Sequence, residues 1–263
     1  MMIQNIYLKM LKILLINTAL VSLTGCFDKS SDTKQIHSTV TIGDLGGVPV
    51  NLPNHIVRLV EYDGDPSWGE KRVGDIPERT YQSKINSFGF DIRYTDGQLL
   101  DKNNENLRKE YKEKYLQSDN PWISVGINSG KRYCGKGSTH RLGDGTIHPQ
   151  TKDSPVHTYA KLADKQYGLE VYAPPEVDPK TNMPWRENQY AKDVFIQRNK
   201  NGEIVVFIKC SNRQVRSAQC TQYFDLEPNM HLDVYARYSR GDLEHWQQIQ
   251  SQITQAILNF RKI

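Results

Sequence analysis

The chain has 263 residues, 34 Lys or Arg against 30 Asp or Glu, a net charge of +4, 37% hydrophobic residues and 14 Tyr against 7 Phe. That balance excludes a polytopic membrane protein, a fibre of collagen type and a wholly disordered chain. Four cysteines are too few for a scaffold built on disulfides.

The N-terminus carries a processing signal. Lys9 and Lys12 precede a mostly apolar run from Ile13 to Leu23. The run is too short for the roughly 20 residues of a spanning helix and reads as a secretory signal. Its ending, Leu23-Thr-Gly-Cys26, resembles the lipobox of bacterial lipoproteins. The resemblance implies cleavage before Cys26 and acylation of that cysteine, so residues 1–25 are a signal peptide and Cys26 is the lipid anchor. Several acyl chains hold a protein firmly where one does not. Phe27 follows; among such lipoproteins an aspartate at this place commonly means inner-membrane retention. Its absence favours the outer membrane, facing the periplasm.

Taking Lys9 and Lys12 from 34 leaves 32 basic against 30 acidic residues, a net of +2. A nearly neutral chain gives no electrostatic case for nucleic acid. Residues 26–39 are polar and rich in Ser and Thr, a tether from membrane to domain.

Residues 40–263 read as one periplasmic domain with no internal repeat. His55–Glu61 and Ile85–Tyr94 alternate as strands, and Trp122–Ile127 is a short apolar strand. Asn103–Leu116 is a charged helix with Leu107, Tyr111, Tyr115 and Leu116 along one side. Residues 128–157 lack periodicity and read as a long loop region. Gln166–Tyr172 is a strand running into Pro174-Pro175. Asp193–Asn199 and Glu203–Cys210 flank Asn201-Gly202, a strong hairpin signal. Gln219–Leu226 and Met230–Ser239 add two strands, making a four-stranded antiparallel meander. In Asp242–Ile263, Leu243, Trp246, Ile249, Ile253, Ile257 and Phe260 form one helical stripe that must be buried, most simply on the sheet. The fold class is α+β, an antiparallel sheet packed against a long C-terminal amphipathic helix.

Cys210 ends one strand and Cys220 begins the next, so a disulfide across the mouth of that loop is expected. Cys134 is left over.

Known catalytic patterns fail in turn. No Gly-x-Ser-x-Gly elbow occurs. Gly126–Lys131 is one residue short of a phosphate loop, with Arg132 where Ser or Thr belongs. Asp63-Gly64-Asp65 and Asp144-Gly145 lack calcium-loop spacing and read as turns. His140 and His148 read as solvated loop histidines rather than zinc ligands. No cofactor or metal is expected, and the chain reads as a non-enzyme.

An ordered set of strings remains: Gly46-Gly-Val-Pro-Val50, Pro53-Asn-His55, Val60-Glu-Tyr-Asp-Gly-Asp-Pro66, Gly69-Glu-Lys-Arg72, Ser87-Phe-Gly-Phe-Asp-Ile-Arg-Tyr94, Gln166-Tyr-Gly-Leu169, Asp178-Pro-Lys180, Pro184-Trp-Arg-Glu187 and Asp193-Val-Phe-Ile196. Together, over roughly residues 45–260, they resemble a family of bacterial envelope immunity proteins directed against lipase effectors of type VI secretion. The resemblance implies a periplasmic binding protein that occludes a delivered lipase. Composition adds a candidate interface, Tyr62, Asp63, Asp65, Trp68, Glu70 and Arg72, because Trp, Tyr and Arg anchor tight interfaces. The competing readings are an envelope assembly lipoprotein and, further off, a hydrolase using the 128–157 loops.

Overall fold

A computed structural model describes residues 39–263, apart from 67–68, 116 and 152–153. The chain divides into Met1–His37 and Ser38–Ile263, and the fold described here is that of the second unit. The expected signal peptide, Cys26, nearly all of the expected tether and Trp68 lie outside the described residues.

Among the described residues there are twelve strands and three α-helices. β1 (Val40–Leu45) and β2 (Val48–Pro53) form a separate hairpin turning at Gly46-Gly47. The main sheet contains β3 (Arg58–Tyr62), β4 (Ile85–Arg93), the short β5 (Gln98–Leu99), β6 (Trp122–Asn128), β7 (Ala160–Lys161) and β8 (Glu170–Ala173), followed by β9 (Lys192–Arg198), β10 (Ile204–Ser211), β11 (Gln219–Asp225) and β12 (Asp233–Ser239). Its order is β3-β4-β6-β12-β11-β10-β9-β8-β7, with β5 beside β4. Every pairing is antiparallel.

Strand alternation assigns the two faces. One face carries Phe88, Phe90 and Ile92 of β4, Ile123, Val125 and Ile127 of β6, Val234 and Ala236 of β12 and Val206 and Ile208 of β10, all buried. Against it lies α3 (Trp246–Asn259), entered through a 3-10 turn at Arg240–His245. The expected stripe is the buried one: Leu243, Trp246, Ile249, Ile253, Ile257 and Phe260 all join this core. Phe260 meets Phe88 and Phe90 edge to face at 6.1 and 5.7 Å. The β1–β2 hairpin completes this layer through Leu45, Val50 and Leu52. Gln222 is a buried polar residue of this layer; it receives the Tyr238 hydroxyl and donates to Gln250, both at 2.9 Å.

The second face is covered only in part. α2 (Ser138–Ile147) packs over β9 and β10 through a smaller cluster of Ile147, Val194, Ile196, Ile204 and Phe207. This helix corrects the expectation of a long loop, and it moves Asp144-Gly145 from a turn into a helix. Gly143 and Gly145 hide it in the sequence, since glycine weakens a helix by about 1 kcal/mol. Close packing explains Gly143: a Cβ there would come within 2.9 Å of Ile204. The sheet also supplies the cap, because Asp225 accepts from the Thr139 N–H and from the Ser138 and Thr139 hydroxyls (3.3, 2.7 and 2.6 Å). A carboxylate at a helix N-terminus is favourable both as acceptor and as charge.

α1 (Glu105–Lys114) is capped by Asn104, whose side chain accepts from the Leu107 N–H. It buries no residue fully and borders the second face where Tyr111 meets Trp122 at 5.7 Å. The strand expected over Gln166–Tyr172 is shorter. Residues Gln166 and Leu169 close a turn on each other, and β8 begins only at Glu170.

Cys210 and Cys220 form a disulfide with Cα atoms 4.0 Å apart, as expected, and they are cross-strand partners in β10 and β11. Cys134 is free and exposed.

Candidate interaction surface

Between α1 and α2 the second face of the sheet stays open. β3, β4, β6 and β12 there enclose a cleft of about 660 Å³. Its floor is made of small residues. Gly89 and Gly126 are direct partners across β4 and β6, with Ser87 and Ser124 beside them. Gly126 is required: Tyr235 pairs with it across β6 and β12, and a Cβ on Gly126 would fall inside the Tyr235 ring. The tyrosine lies over the neighbouring strand, as aromatics do over sheet glycines. At Gly89 a Cβ would meet the Val125 carbonyl at 3.0 Å and the Arg58 side chain at 3.3 Å.

Charged side chains rim this floor, and they are held in pairs. Arg58 is ion-paired with Asp91 and donates to Ser124 Oγ at 2.8 Å. Burial pushes the Asp91 carboxyl up, against the pull of the Arg58 guanidinium. Glu61 receives the Ser87 hydroxyl at 3.0 Å and pairs with Arg132 at 2.8 Å. Asp65 is the hub of the loop after β3. It accepts from the Tyr62 N–H at 2.8 Å, pairs with Arg79 at 2.5 Å, and pairs with Arg72. Burial works to raise the Asp65 carboxyl, but the Tyr62 N–H and the two guanidiniums outweigh it and hold it low. A rim fixed in this way pays little ordering entropy on binding.

The residues singled out from composition are dispersed. Asp65 and Arg72 line the cleft. Asp63 points to Lys131 at 2.6 Å, and that lysine holds its carboxyl below the usual range. Glu70 is exposed. Tyr62 is not a surface anchor: it is 7% exposed, donates its hydroxyl to the Ile42 carbonyl at 2.5 Å, and carries Arg79 over its ring at 4.1 Å. It ends β3 with its ring turned to the core, which places an aromatic among charges without exposing it. Arg58, Glu61, Arg132 and Tyr235 were not singled out. For Arg58, Glu61 and Tyr235 the sequence signal is polar or aromatic residues on strands whose other face is apolar; Arg132 lies in the 3-10 turn after β6 and has none.

A second cleft, about 780 Å³, lies beside the loop between β10 and β11. Beneath it Asp193 is 1% exposed. It receives Arg186 through two nitrogens (2.9 and 2.8 Å), Asn212 at 3.0 Å and Arg240 at 2.5 Å. Burial opposes the charge on Asp193, yet these donors hold its carboxyl below the ordinary range. This network ties the loop to β9.

Among the described residues, no group of three or more His, Cys, Asp or Glu is placed to hold a metal ion. His148 sits 3.1 Å from Asp144, and His140 accepts the Ile204 N–H at 3.3 Å, so the two belong to α2 and its packing. No helix of the described residues is long and apolar enough to cross a membrane.

No family model matches the chain, and no curated protein matches it. Two solved structures are similar to it. The iron-regulated outer membrane lipoprotein FrpD of Neisseria meningitidis is 13% identical, with a TM-score of 0.45 over 85% of this chain and 93% of that one. An immunity protein of the Stenotrophomonas maltophilia type IV secretion system is 16% identical, with a TM-score of 0.50 over 86% of this chain and 94% of that one. The chain therefore shares the fold of an immunity protein, a mostly antiparallel sheet with few helices and a helix at its C-terminus.

Proposed function

We propose that this chain is an immunity protein that binds a delivered effector and neutralises it without catalysis. The open cleft carries this reading. Its rigid sheet floor and paired rim form a preorganised polar surface suited to docking a protein. The fold shared with an immunity protein supports the general role. The ordered strings from Gly46 to Ile196 support the finer one, neutralisation of a type VI secretion lipase in the periplasm. Acylated Cys26 would anchor the chain in the outer membrane, where such a toxin arrives. Asp63, Asp65, Glu70 and Arg72, with Trp68, remain the proposed effector-facing set.

The test is a periplasmic rescue. The product of the adjoining gene is expressed in the periplasm with and without the full chain. Rescue of growth with a stable one-to-one complex is expected, together with lost lipase turnover in that complex. No rescue and no complex would overturn the proposal in favour of an assembly lipoprotein.

A further inference from the structure

Beyond the paired rim, the open face continues across β12, β11 and β10. The register aligns Ser124, Arg237, Thr221 and Lys209 in one row across four strands. Arg237 lies 5.4 Å from the Tyr235 ring centre, and Lys209 lies 5.7 Å from that of Phe207. Both therefore stand on the second face, Lys209 beside the part that α2 covers. Two depressions of about 350 and 530 Å³ adjoin along this row and share Ser217 and Gln219. Arg237 lines the first; Lys192, Lys209 and Arg213 line the second. Among the described residues, no acidic one lines either depression. Among the described residues, none of these four cations has a carboxylate within ion-pairing distance, whereas Arg58, Arg72 and Arg132 in the neighbouring cleft each have one.

Such a surface lacks its counter-charge. Burial, and secondarily Lys192, push the Lys209 ammonium down, so an incoming anion would relieve it. Lys192, Lys209 and Arg213 share one depression while Arg237 stands two strands away in the other, so the four do not aim at one point. One phosphate needs several donors aimed at one point; separated carboxylates need separated cations. Strands about 4.8 Å apart put the backbones of Arg237 and Lys209 about 10 Å apart. The planar fork of an arginine pairs with a carboxylate through two hydrogen bonds, and hydroxyl and amide side chains fill the intervals.

We propose that the row from Arg237 to Lys209 docks an acidic segment of the partner protein, with carboxylates about 10 Å apart on the two cations. The inference rests on the immunity reading for the identity of the partner, but not for the chemistry of the surface.

A fluorescent decaglutamate peptide tests it by anisotropy against the full chain in detergent. Binding is expected at low ionic strength and should weaken as salt rises. R237E/K209E should weaken it by about tenfold or more. R237Q/K209Q, which tests the same row with smaller disturbance, should fall between. K109E/K112E makes the same charge change on α1 and should leave affinity unaltered, with circular dichroism confirming that every variant is folded. Absence of binding, equal weakening by K109E/K112E, or no change in R237E/K209E would overturn the inference. So would displacement of the peptide by short-chain phosphatidylglycerol at lower concentration than by unlabelled decaglutamate, which would assign the row to lipid phosphate. Peptide binding without periplasmic rescue would sink the immunity reading alone; rescue without peptide binding would sink this inference alone.

Discussion

Replacing Asp193 by Asn should destabilise the domain by about 2–3 kcal/mol. Removing one partner of a buried ion pair typically costs about 3–5 kcal/mol, because the other charge is left uncompensated. Here the carboxylate is buried, but the Arg186 and Arg240 side chains are 42% and 29% exposed. Their guanidiniums regain water once freed, which puts the cost at or below the lower end of that range. Asparagine keeps the shape yet turns one oxygen into an N–H donor, so either Asn212 and the Arg186 Nε on one oxygen, or Arg240 and the terminal Arg186 nitrogen on the other, lose their acceptor. The sign with pH follows from the lowered folded-state carboxyl. Its stabilisation is fully present above the unfolded value of about 3.9 and is lost as pH falls through the lower folded value. Urea unfolding of both proteins at a series of pH values measures this. The gap should be full near neutrality and close toward pH 3 and below. A gap under about 0.5 kcal/mol at neutrality, or one unchanged at low pH, would refute the reasoning.

Other perturbations have equally definite outcomes. C210A/C220A opens a loop of sequence separation 10 and should cost about 2.5–3 kcal/mol by chain entropy; unfolding of the oxidised protein should then lie well above both the variant and the reduced wild type, which should nearly coincide. Ile253→Ala empties a fully buried site on α3 and should lower stability by about 2–5 kcal/mol, seen as an earlier urea midpoint at unchanged slope. Asp242 is pushed up to about 6, chiefly by burial, so it withdraws stability as pH rises from about 4 through about 6; D242N should gain on the order of 1–2 kcal/mol at pH 7–8 and nothing at pH 4, and equal thermal midpoints for the two proteins at both pH values would contradict it. Gly126→Val should displace Tyr235 and weaken effector binding through the cleft while unfolding remains cooperative; undiminished affinity in titration calorimetry would remove the cleft from the interface.

What could be read from the chain was local. The α3 stripe and the Asn201-Gly202 hairpin repeat within a few residues, and Cys210 and Cys220 lie at the ends of adjacent strands, so short-range spacing was enough. α2 was illegible because its stability is not intrinsic. Its glycines argue against a helix until Ile204 is seen to press on Gly143 and Asp225 to cap it from another strand. Tyr62 misled for another reason: strict alternation along Arg58–Tyr62 would put it on the face of Arg58, and only the register shifts of β3 against β4, on either side of Glu61, turn its ring to the core. The open face required the sheet order itself. Nothing in sequence distance puts β6 against β12, yet that pairing joins Gly126 to Tyr235 and Ser124 to Arg237.

Both ends of the described chain are held along β2, about five residues apart. The Thr39 carbonyl accepts the Asn54 N–H at one end of β2, while Pro49 at the other end receives the Lys262 N–H and Asn51 donates to Phe260. Both ends thus sit on the α3 side of the sheet, across from the open cleft. A label, bead or surface attached at Ile263 would leave the cleft facing solution. The same proximity makes the domain a candidate for circular permutation: a short linker from 263 to 39, with new ends cut at Asn201-Gly202, would keep every strand pairing and free both faces of the original entry point.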